Sequence, residues 1–315
     1  MPRYVIRRLL LLVVTMLITS VIIFALTQLL PGDIARLQLG RDASDAQLTA
    51  FRTAYGLNDP ITQQYTRWLG GFITGNWGIS YSSGSPAVRP LVLERLQNSL
   101  RLGALTLLIS VPLSILLGLG AALRENQWLD SVISVFSLAV VGLPEFVTAT
   151  VLIGVFAIQL DWFPATSLVD PSFTLGDWLR VLTLPALTAT LVLVGYITRL
   201  TRAGVIEELK KPYVRTAVLK GLPQRQVVIK HVLRNALLPT ITVIGLSIGW
   251  LIGGLIVIES VFNYPGLGSL LVTAVEQKNI PLLQAIVMVI IFFFAASNLV
   301  ADLLYALLNP RIRLG

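Results

Sequence analysis

The sequence has 315 residues, of which 55% are hydrophobic and 13% charged, whereas soluble domains carry about 25% charged residues, so this composition is typical of a membrane protein. It contains no cysteine and a single histidine, His231, which excludes disulfide frameworks and thiolate metal sites and disfavours a histidine-rich metal site or a Ser-His-Asp triad. The net charge of +8 does not require nucleic acid, because Lys and Arg collect on the cytoplasmic side of membrane proteins.

Six apolar runs are long enough to cross the bilayer, which takes about 20 helical residues. They lie at 9–30, 100–123, 132–160, 182–200, 238–258 and 283–308. The first run is too long for a signal peptide and lacks a small-residue cleavage site, so we expect it to remain as an anchor. The sequence therefore predicts an all-α membrane protein with six transmembrane helices.

The chain is expected to form one membrane domain, 1–315. Its parts are an amino-terminal span at 1–30, an extracytoplasmic segment at 31–99, a core of five spans at 100–308 and, within that core, a cytoplasmic loop at 201–237. With both termini cytoplasmic, most of the 24 Lys and Arg residues fall on the cytoplasmic side, as the positive-inside rule demands. In the extracytoplasmic segment, "DAQLTAFRTAYGL" and "QQYTRWLGGFI" have the spacing of short amphipathic helices, the first with Ser44 or Asp45 as its cap.

The cytoplasmic loop carries an unusual concentration of basic residues. Pro212 suits a first helical turn, Gly221 a helix end and Pro223 a second first turn, which predicts two short helices joined by a tight turn. Such a pair could rest on anionic lipid headgroups or dock on a cytoplasmic protein. The residues predicted to make that contact and turn are Tyr213, Val214, Arg215, Ala217, Val218, Lys220 and Gly221.

This loop resembles the coupling loop, or EAA loop, of ABC importer permease subunits. The stretch "RTAVLKGLPQRQVVIKHVLRNALLP" supplies the alanine, glycine and closing Leu-Pro of that motif as Ala217, Gly221, Leu238 and Pro239, although Arg215 and Thr216 replace its Glu and first Ala. The segments "FALTQLLPGD", "YGLNDPITQQYTRWL", "GNWGIS", "ESVFNYPGLGSLL" and "DLLYALLNPRIR" are similar to the dipeptide and oligopeptide branch in order and spacing. The resemblance covers nearly the whole chain.

The resemblance implies a type I importer fold, in which a second homologous permease subunit completes the pathway. Two cytoplasmic ATPase subunits would carry ATP and Mg²⁺, and an extracytoplasmic binding protein would deliver peptides. The first span would wrap the neighbouring subunit, and the coupling helix, 211–220, would enter a groove of an ATPase subunit. The location implied is the inner membrane of a bacterial or archaeal cell.

The chain itself has no Gly-x-x-x-x-Gly-Lys-Ser/Thr loop, so we expect a transport subunit without enzymatic activity, bound cofactor or metal. The same machinery could import a nickel chelate, glutathione or an oligosaccharide instead of peptides. An ion-coupled secondary transporter is a further alternative, since its spans are also interrupted by Pro and Gly. An intramembrane enzyme is disfavoured, because no Ser-Lys or paired-aspartate arrangement stands out.

Acidic residues within spans are costly to insert and therefore mark candidate sites. Glu145, beside Pro144 midway along the third span, could line the pathway and meet a cationic group, or could satisfy backbone groups freed by the proline. The resemblance implies that Glu259 lies near an outer gate or the binding protein; the alternative is a hydrogen bond at a helix end. Asp302 is expected to pair with a cytoplasmic Arg. Finally, Gly245, Gly249 and Gly253 predict a face where another helix packs closely, in this chain or in a second subunit.

Overall fold

The computed structural model describes residues 2–29, 33–40, 42–82, 84–170 and 172–308, with side chains from residue 5 to residue 303. The described residues are almost entirely helical. The helices are α1 (Pro2–Gln28), α2 (Ile34–Leu39), α3 (Asp45–Ala54), α4 (Ile61–Thr74), α5 (Val88–Leu123), α6 (Trp128–Gly142), α7 (Glu145–Leu152), α8 (Leu175–Leu209), α9 (Pro212–Leu219), α10 (Gln224–Gln226), α11 (Leu233–Gly253), α12 (Ile256–Val261), α13 (Leu267–Glu276) and α14 (Ile280–Leu308). Two π-helical segments, Ile153–Gln159 and Val227–Val232, extend α7 and join α10 to α11.

Five helices of the described chain are long and apolar enough to cross a membrane, and the pair α6–α7 supplies a sixth span if it is counted as one. The prediction of six spans therefore agrees with the structure in number. The third span, predicted as an apolar run at 132–160, bends by 106° between α6 and α7. Pro144 causes the break, because proline has no amide hydrogen and disfavours helical geometry in the residue before it.

The first and last spans run antiparallel, side by side. Near one end of the pair, the Gln284 side chain donates a hydrogen bond of 2.7 Å to the Thr27 hydroxyl. At the other end Arg8 pairs with Asp302 at 2.7 Å, which confirms the expected partner type for Asp302. We call the side that holds the start of α1 and the end of α14 the inner side, and the opposite one the outer side. The wrapping of α1 around a neighbouring subunit stays a prediction.

The structure shows what the glycine face of α11 contacts. A Cβ placed on Gly245 would lie 2.6 Å from the Cβ of Ala301, and one on Gly249 would lie 3.0 Å from the Phe294 ring. Gly253 faces Ile290 in the same way. All three neighbours belong to α14, so the glycines allow two spans of this one chain to pack closely.

Replacing Gly245 by leucine is expected to destabilise the chain, since the new side chain must displace the backbone of α14. Overpacking of this kind costs about 1–3 kcal/mol. We expect a lower yield of monodisperse protein and a lower unfolding temperature in detergent. The matched control is Gly120→Leu, because a Cβ at Gly120 meets nothing within 4 Å. Equal losses in both variants would contradict the packing role of Gly245.

The outer segment is folded as the sequence predicts. Ser44, not Asp45, caps α3 in a capping box with Gln47. Asp33 of the α2 cap pairs with Arg52 of α3 at 2.6 Å, and this guanidinium lowers the pKa of the Asp33 carboxyl. α4 lies against the outer end of α1, where Phe24 contacts Tyr65 and Trp68 of α4. The two predicted amphipathic helices are thus confirmed as α3 and α4.

α8 is the central helix of the bundle. In its most hydrophobic 18-residue stretch, 67% of the residues are buried inside the chain, more than in any other candidate span of the described residues. It packs on α5, α6 and α11, and its inner end leads into α9. The prediction of a second, separate short helix in the loop was wrong. α10 continues through the π-helical segment into α11 as one helix of 30 residues, with Pro239 accommodated inside it.

Candidate functional site

α9 is a short helix on the inner side of the bundle, with both of its ends fixed by the local sequence. Pro212 occupies its first turn, where a missing amide hydrogen costs nothing. After Lys220, Gly221 has a φ of +77°, in the left-handed region that side chains other than glycine rarely adopt. The tight turn predicted at Gly221 is present, and it directs the chain from α9 into α10.

One face of α9 is buried against the chain's own helices. Val214 and Ala217 are 6% and 8% exposed, and they belong to an apolar cluster beneath α9. The cluster consists of Ala122, Val205, Val214, Ala217, Val227, Val232 and Ala236. The structure corrects the prediction that Val214 and Ala217 contact a partner: both side chains seat α9 on the inner ends of α5, α8 and α11.

Several other side chains of α9 are open to solvent. Val218 is 56% exposed and Leu219 is 78% exposed, and both flanking cations, Arg215 and Lys220, are exposed as well. We call these four residues the α9 tip. An apolar pair bordered by cations, on a helix that lies beyond the spans, can bury its apolar surface only against another molecule.

Tyr213 braces α9 from below rather than presenting its hydroxyl to a partner. The hydroxyl donates a hydrogen bond of 2.5 Å to Glu208 at the end of α8 and accepts one of 3.3 Å from Asn235 of α11. Lys211 pairs with the same carboxylate. Burial and the bond to Glu208 raise the pKa of Tyr213, and the bond to Glu208 also raises the pKa of Lys211. α9 is thereby tied to two spans at once.

A second connection links the inner end of α8, from which α9 follows, to α6. The Arg202 guanidinium of α8 binds both carboxylate oxygens of Asp130, at 2.5 and 2.6 Å, and the Asp130 side chain is only 5% exposed. The same carboxylate accepts the backbone amide of Asn126 at 3.0 Å. Lys210 reaches Glu125 at 3.1 Å. Because α6 ends at the bend before Glu145, Arg202 and Asp130 connect the base of α9 to the broken span.

The break between α6 and α7 opens a cleft of about 410 Å³ on the side of the bundle. Glu145, half-buried, lines it with Pro144, and the residues opposite come from α8 and from the segment after α11. Among the described residues, no hydrogen bond or ion pair reaches the Glu145 carboxylate. The structure therefore places the predicted Glu145 and Pro144 together at a mid-span cavity.

Glu259 lies elsewhere, buried at the outer end of the bundle. Its carboxylate accepts the Ser99 hydroxyl at 2.6 Å and the backbone amides of Gly268 and Ser269 at 2.7 and 3.0 Å. It is fully buried and does not line the cleft at Glu145. Of the two roles left open by the sequence, this geometry corresponds to the hydrogen bond at a helix end, because the two amides are those of the first turn of α13.

Nothing in the described residues suggests a bound metal. No group of three or more His, Asp or Glu side chains is close enough together there to hold a metal ion. The backbone carbonyl of His231 accepts a hydrogen bond of 3.4 Å from the Asn235 side chain. The described residues thus provide an exposed surface on α9, hydrogen bonds that fix α9 to two spans, and a cleft beside the broken span.

Sequence comparison decides what kind of protein carries these features. Residues 114–314 match the family described as binding-protein-dependent transport system inner membrane component, and residues 1–89 match the corresponding amino-terminal family. The chain belongs to this family. It is therefore the membrane-embedded permease of a transport system that depends on a binding protein.

Relatives match the permease over its full length. A putative peptide permease protein of Brucella suis is 38% identical over 317 residues, covering 99% of each chain. A probable peptide ABC transporter permease protein of Sinorhizobium fredii is 34% identical, covering 98% of this chain and 99% of the relative. The glutathione transport system permease protein of Escherichia coli is 36% identical over 99% of each chain. A solved amino acid ABC transporter chain shares 18% identity, with a TM-score of 0.48 over 70% of this chain and 94% of that one.

Three features of the permease were missed from sequence. Leu219 lies off the apolar strip that Val214 and Val218 form on α9, so the apolar pattern did not indicate it. The Asp130–Arg202 pair joins residues 72 positions apart, which no local pattern indicates. Tyr196, half exposed at the cleft, resembles any aromatic residue within a span. Helical spacing alone would have placed Leu219 on the outer face of α9.

Proposed function

We propose that this permease forms half of the translocation pathway of an ATP-driven importer that takes up di- or oligopeptides. A second, homologous permease subunit provides the other half, and two ATPase subunits bind ATP and Mg²⁺ and drive the cycle. An extracytoplasmic binding protein delivers the solute. The complex lies in the inner membrane of a bacterial cell, with both termini of this chain in the cytoplasm and lipid around its spans.

The observation that carries this proposal is that the α9 tip is exposed while the rest of α9 is fixed to α8 and α11. A helix that transmits displacement must offer an exposed surface to its driver and be fixed to the spans that it moves. α9 meets both requirements, through Val218 and Leu219 on one side and through Tyr213 and the buried apolar cluster on the other. Closure of the ATPase pair would then be passed to α8 and α11 together.

Cations near this helix support the assignment of the inner side to the cytoplasm. Lys211, Arg215, Lys220 and Arg225 lie on α9 or in the segments that flank it, and such clusters are typical of cytoplasmic loops. The absence of a phosphate-binding loop from the sequence means that the chain draws its energy from partner subunits.

Peptides are the proposed solute because two full-length relatives are named peptide permeases. Glutathione is the second candidate, since a glutathione transport system permease protein is similar to the same degree and over the same length. Glutathione is itself a small peptide, so both candidates share an amine, carboxylates and amide groups. The choice between them depends largely on the binding protein.

The test is affinity purification of the tagged chain from gently solubilised native membranes, followed by identification of the co-purifying proteins. We expect a second permease and either two ATPase polypeptides or two copies of one. The binding protein encoded or purified with them is then titrated with peptides and with glutathione. A chain that purifies alone and moves solute into liposomes without ATP would overturn the proposal.

A further inference from the structure

The helix break in the third span is open to the surroundings of the chain. Leu143 and Pro144 have extended backbone conformations, and both are exposed. Non-helical backbone at membrane depth occurs only where protein covers it or where it lines a water-filled cavity. Since the described residues of this chain leave the break uncovered, it faces either a second subunit or an aqueous path.

The Glu145 side chain indicates what kind of group meets the break. A charged side chain at the centre of a span costs about 2.5–3.5 kcal/mol on insertion scales, and this carboxylate has no partner among the described residues. A carboxylate that accepts no hydrogen bond within its own chain must meet water or a cation from outside. The cleft of about 410 Å³ beside it lies within the usual range for ligand pockets, about 300–1,000 Å³.

Tyr196 supplies a second polar group to the same cleft. Its side chain is 51% exposed, and its hydroxyl likewise makes no hydrogen bond within the described chain. Gly195 explains its position: a Cβ there would lie 2.8 Å from the Ser137 carbonyl oxygen of α6, so the glycine lets α6 and α8 meet closely just below the bend. The neighbouring Tyr196 lines the cleft.

We propose that Glu145 and Tyr196 form a subsite for a protonated amine of the transported solute, an inference that rests on the proposed peptide transport. The carboxylate pairs with the ammonium group, and the phenol contributes its ring face or its hydroxyl oxygen. The remaining walls of the cleft are mainly apolar, including Val141, Val192 and Val257. These walls limit the screening of the charge pair by water, which strengthens its attraction.

The experiment uses the complete transporter in liposomes, with its binding protein and a mixture of radiolabelled dialanine and trialanine. Glu145→Gln is compared with Tyr196→Phe and with Asp161→Asn, a control that removes one negative charge from an exposed residue beyond α7. We expect Glu145→Gln to slow peptide uptake about 10-fold, equivalent to ~1.4 kcal/mol, and Tyr196→Phe to slow it less. Recovery of the second permease and of the ATPase subunits is expected to stay normal.

The outcomes separate the alternatives. Glutamine keeps an acceptor oxygen, so a carboxylate that merely satisfies backbone amides at the break would be replaced without loss of uptake, and the proposal would fall. Loss of the second permease from the Glu145→Gln complex would also overturn it, by showing that the charge pairs with a cation of that subunit. If the unmodified complex hydrolyses ATP but takes up neither peptide, the peptide function itself fails, and the subsite with it.

Discussion

Replacing Leu219 by aspartate is expected to abolish the stimulation of ATP hydrolysis by loaded binding protein, while the chain still folds and inserts. Leu219 is 78% exposed and contributes nothing to the apolar cluster under α9, so its removal leaves the fold intact. In the assembled transporter it would be buried against an ATPase subunit, where an unpaired carboxylate is costly. A loss of about 2 kcal/mol at such a contact weakens binding about 30-fold.

The measurement is the ratio of ATPase subunit to tagged permease after purification, together with the stimulated ATPase rate. Leu175→Asp serves as the matched control, because Leu175 is 77% exposed and lies at the start of α8, on the outer side. We expect the control to retain its ATPase subunits. Normal stimulation in the Leu219→Asp complex would show that the α9 tip is not the coupling surface.

Replacing Asp130 by alanine is expected to have the second large effect, on stability. The change leaves the Arg202 guanidinium, 29% exposed, without the carboxylate that binds it through two nitrogens. This pair is part-buried, and leaving a polar group of that kind without its hydrogen-bond partner costs about 1–3 kcal/mol. The free energy of unfolding in detergent should fall by this amount, and α6 should lose its fixed position relative to the base of α9.

Two further variants give this prediction its controls. Glu125→Ala removes the nearby but more exposed pair with Lys210, which we expect to cost less than about 1 kcal/mol. The double change Asp130→Ala with Arg202→Met removes both charges and should recover much of the lost stability, because no buried charge remains unpaired. If Asp130→Ala costs no more than Glu125→Ala, the pair is not a structural link between α8 and α6.

The sequence carried enough information for the number of candidate spans and for the position of α9. Long apolar runs must cross the bilayer, and Pro212 and Gly221 fix the ends of α9 through backbone geometry alone. The two outer helices, α3 and α4, were predictable for the same reason, since amphipathic spacing and a Ser44 cap are local signals. The glycine face of α11 was predictable as a packing face, whereas its partner, α14, was not.

Features that depend on tertiary contacts escaped sequence analysis. Helical spacing puts Val214 and Ala217 on one side of α9 but cannot tell whether that side faces the bundle or a partner. The 106° bend at Pro144 was hidden by the continuity of the apolar run on both sides of it. Glu259 likewise gave no local sign of its bonds to Ser99 and to α13, because these elements are far apart in the chain.

The pairing of α1 with α14 has a consequence for how the protein is made. Ribosomes deliver α1 to the membrane before α14, because the Gln284 side chain that bonds to Thr27 lies 257 residues later in the chain. Until α14 is synthesised, one flank of the first helix has no protein neighbour from that span. The α1–α14 contact thus forms only after α14 is made, and a chain interrupted before α14 is expected to be an early target for membrane proteolysis.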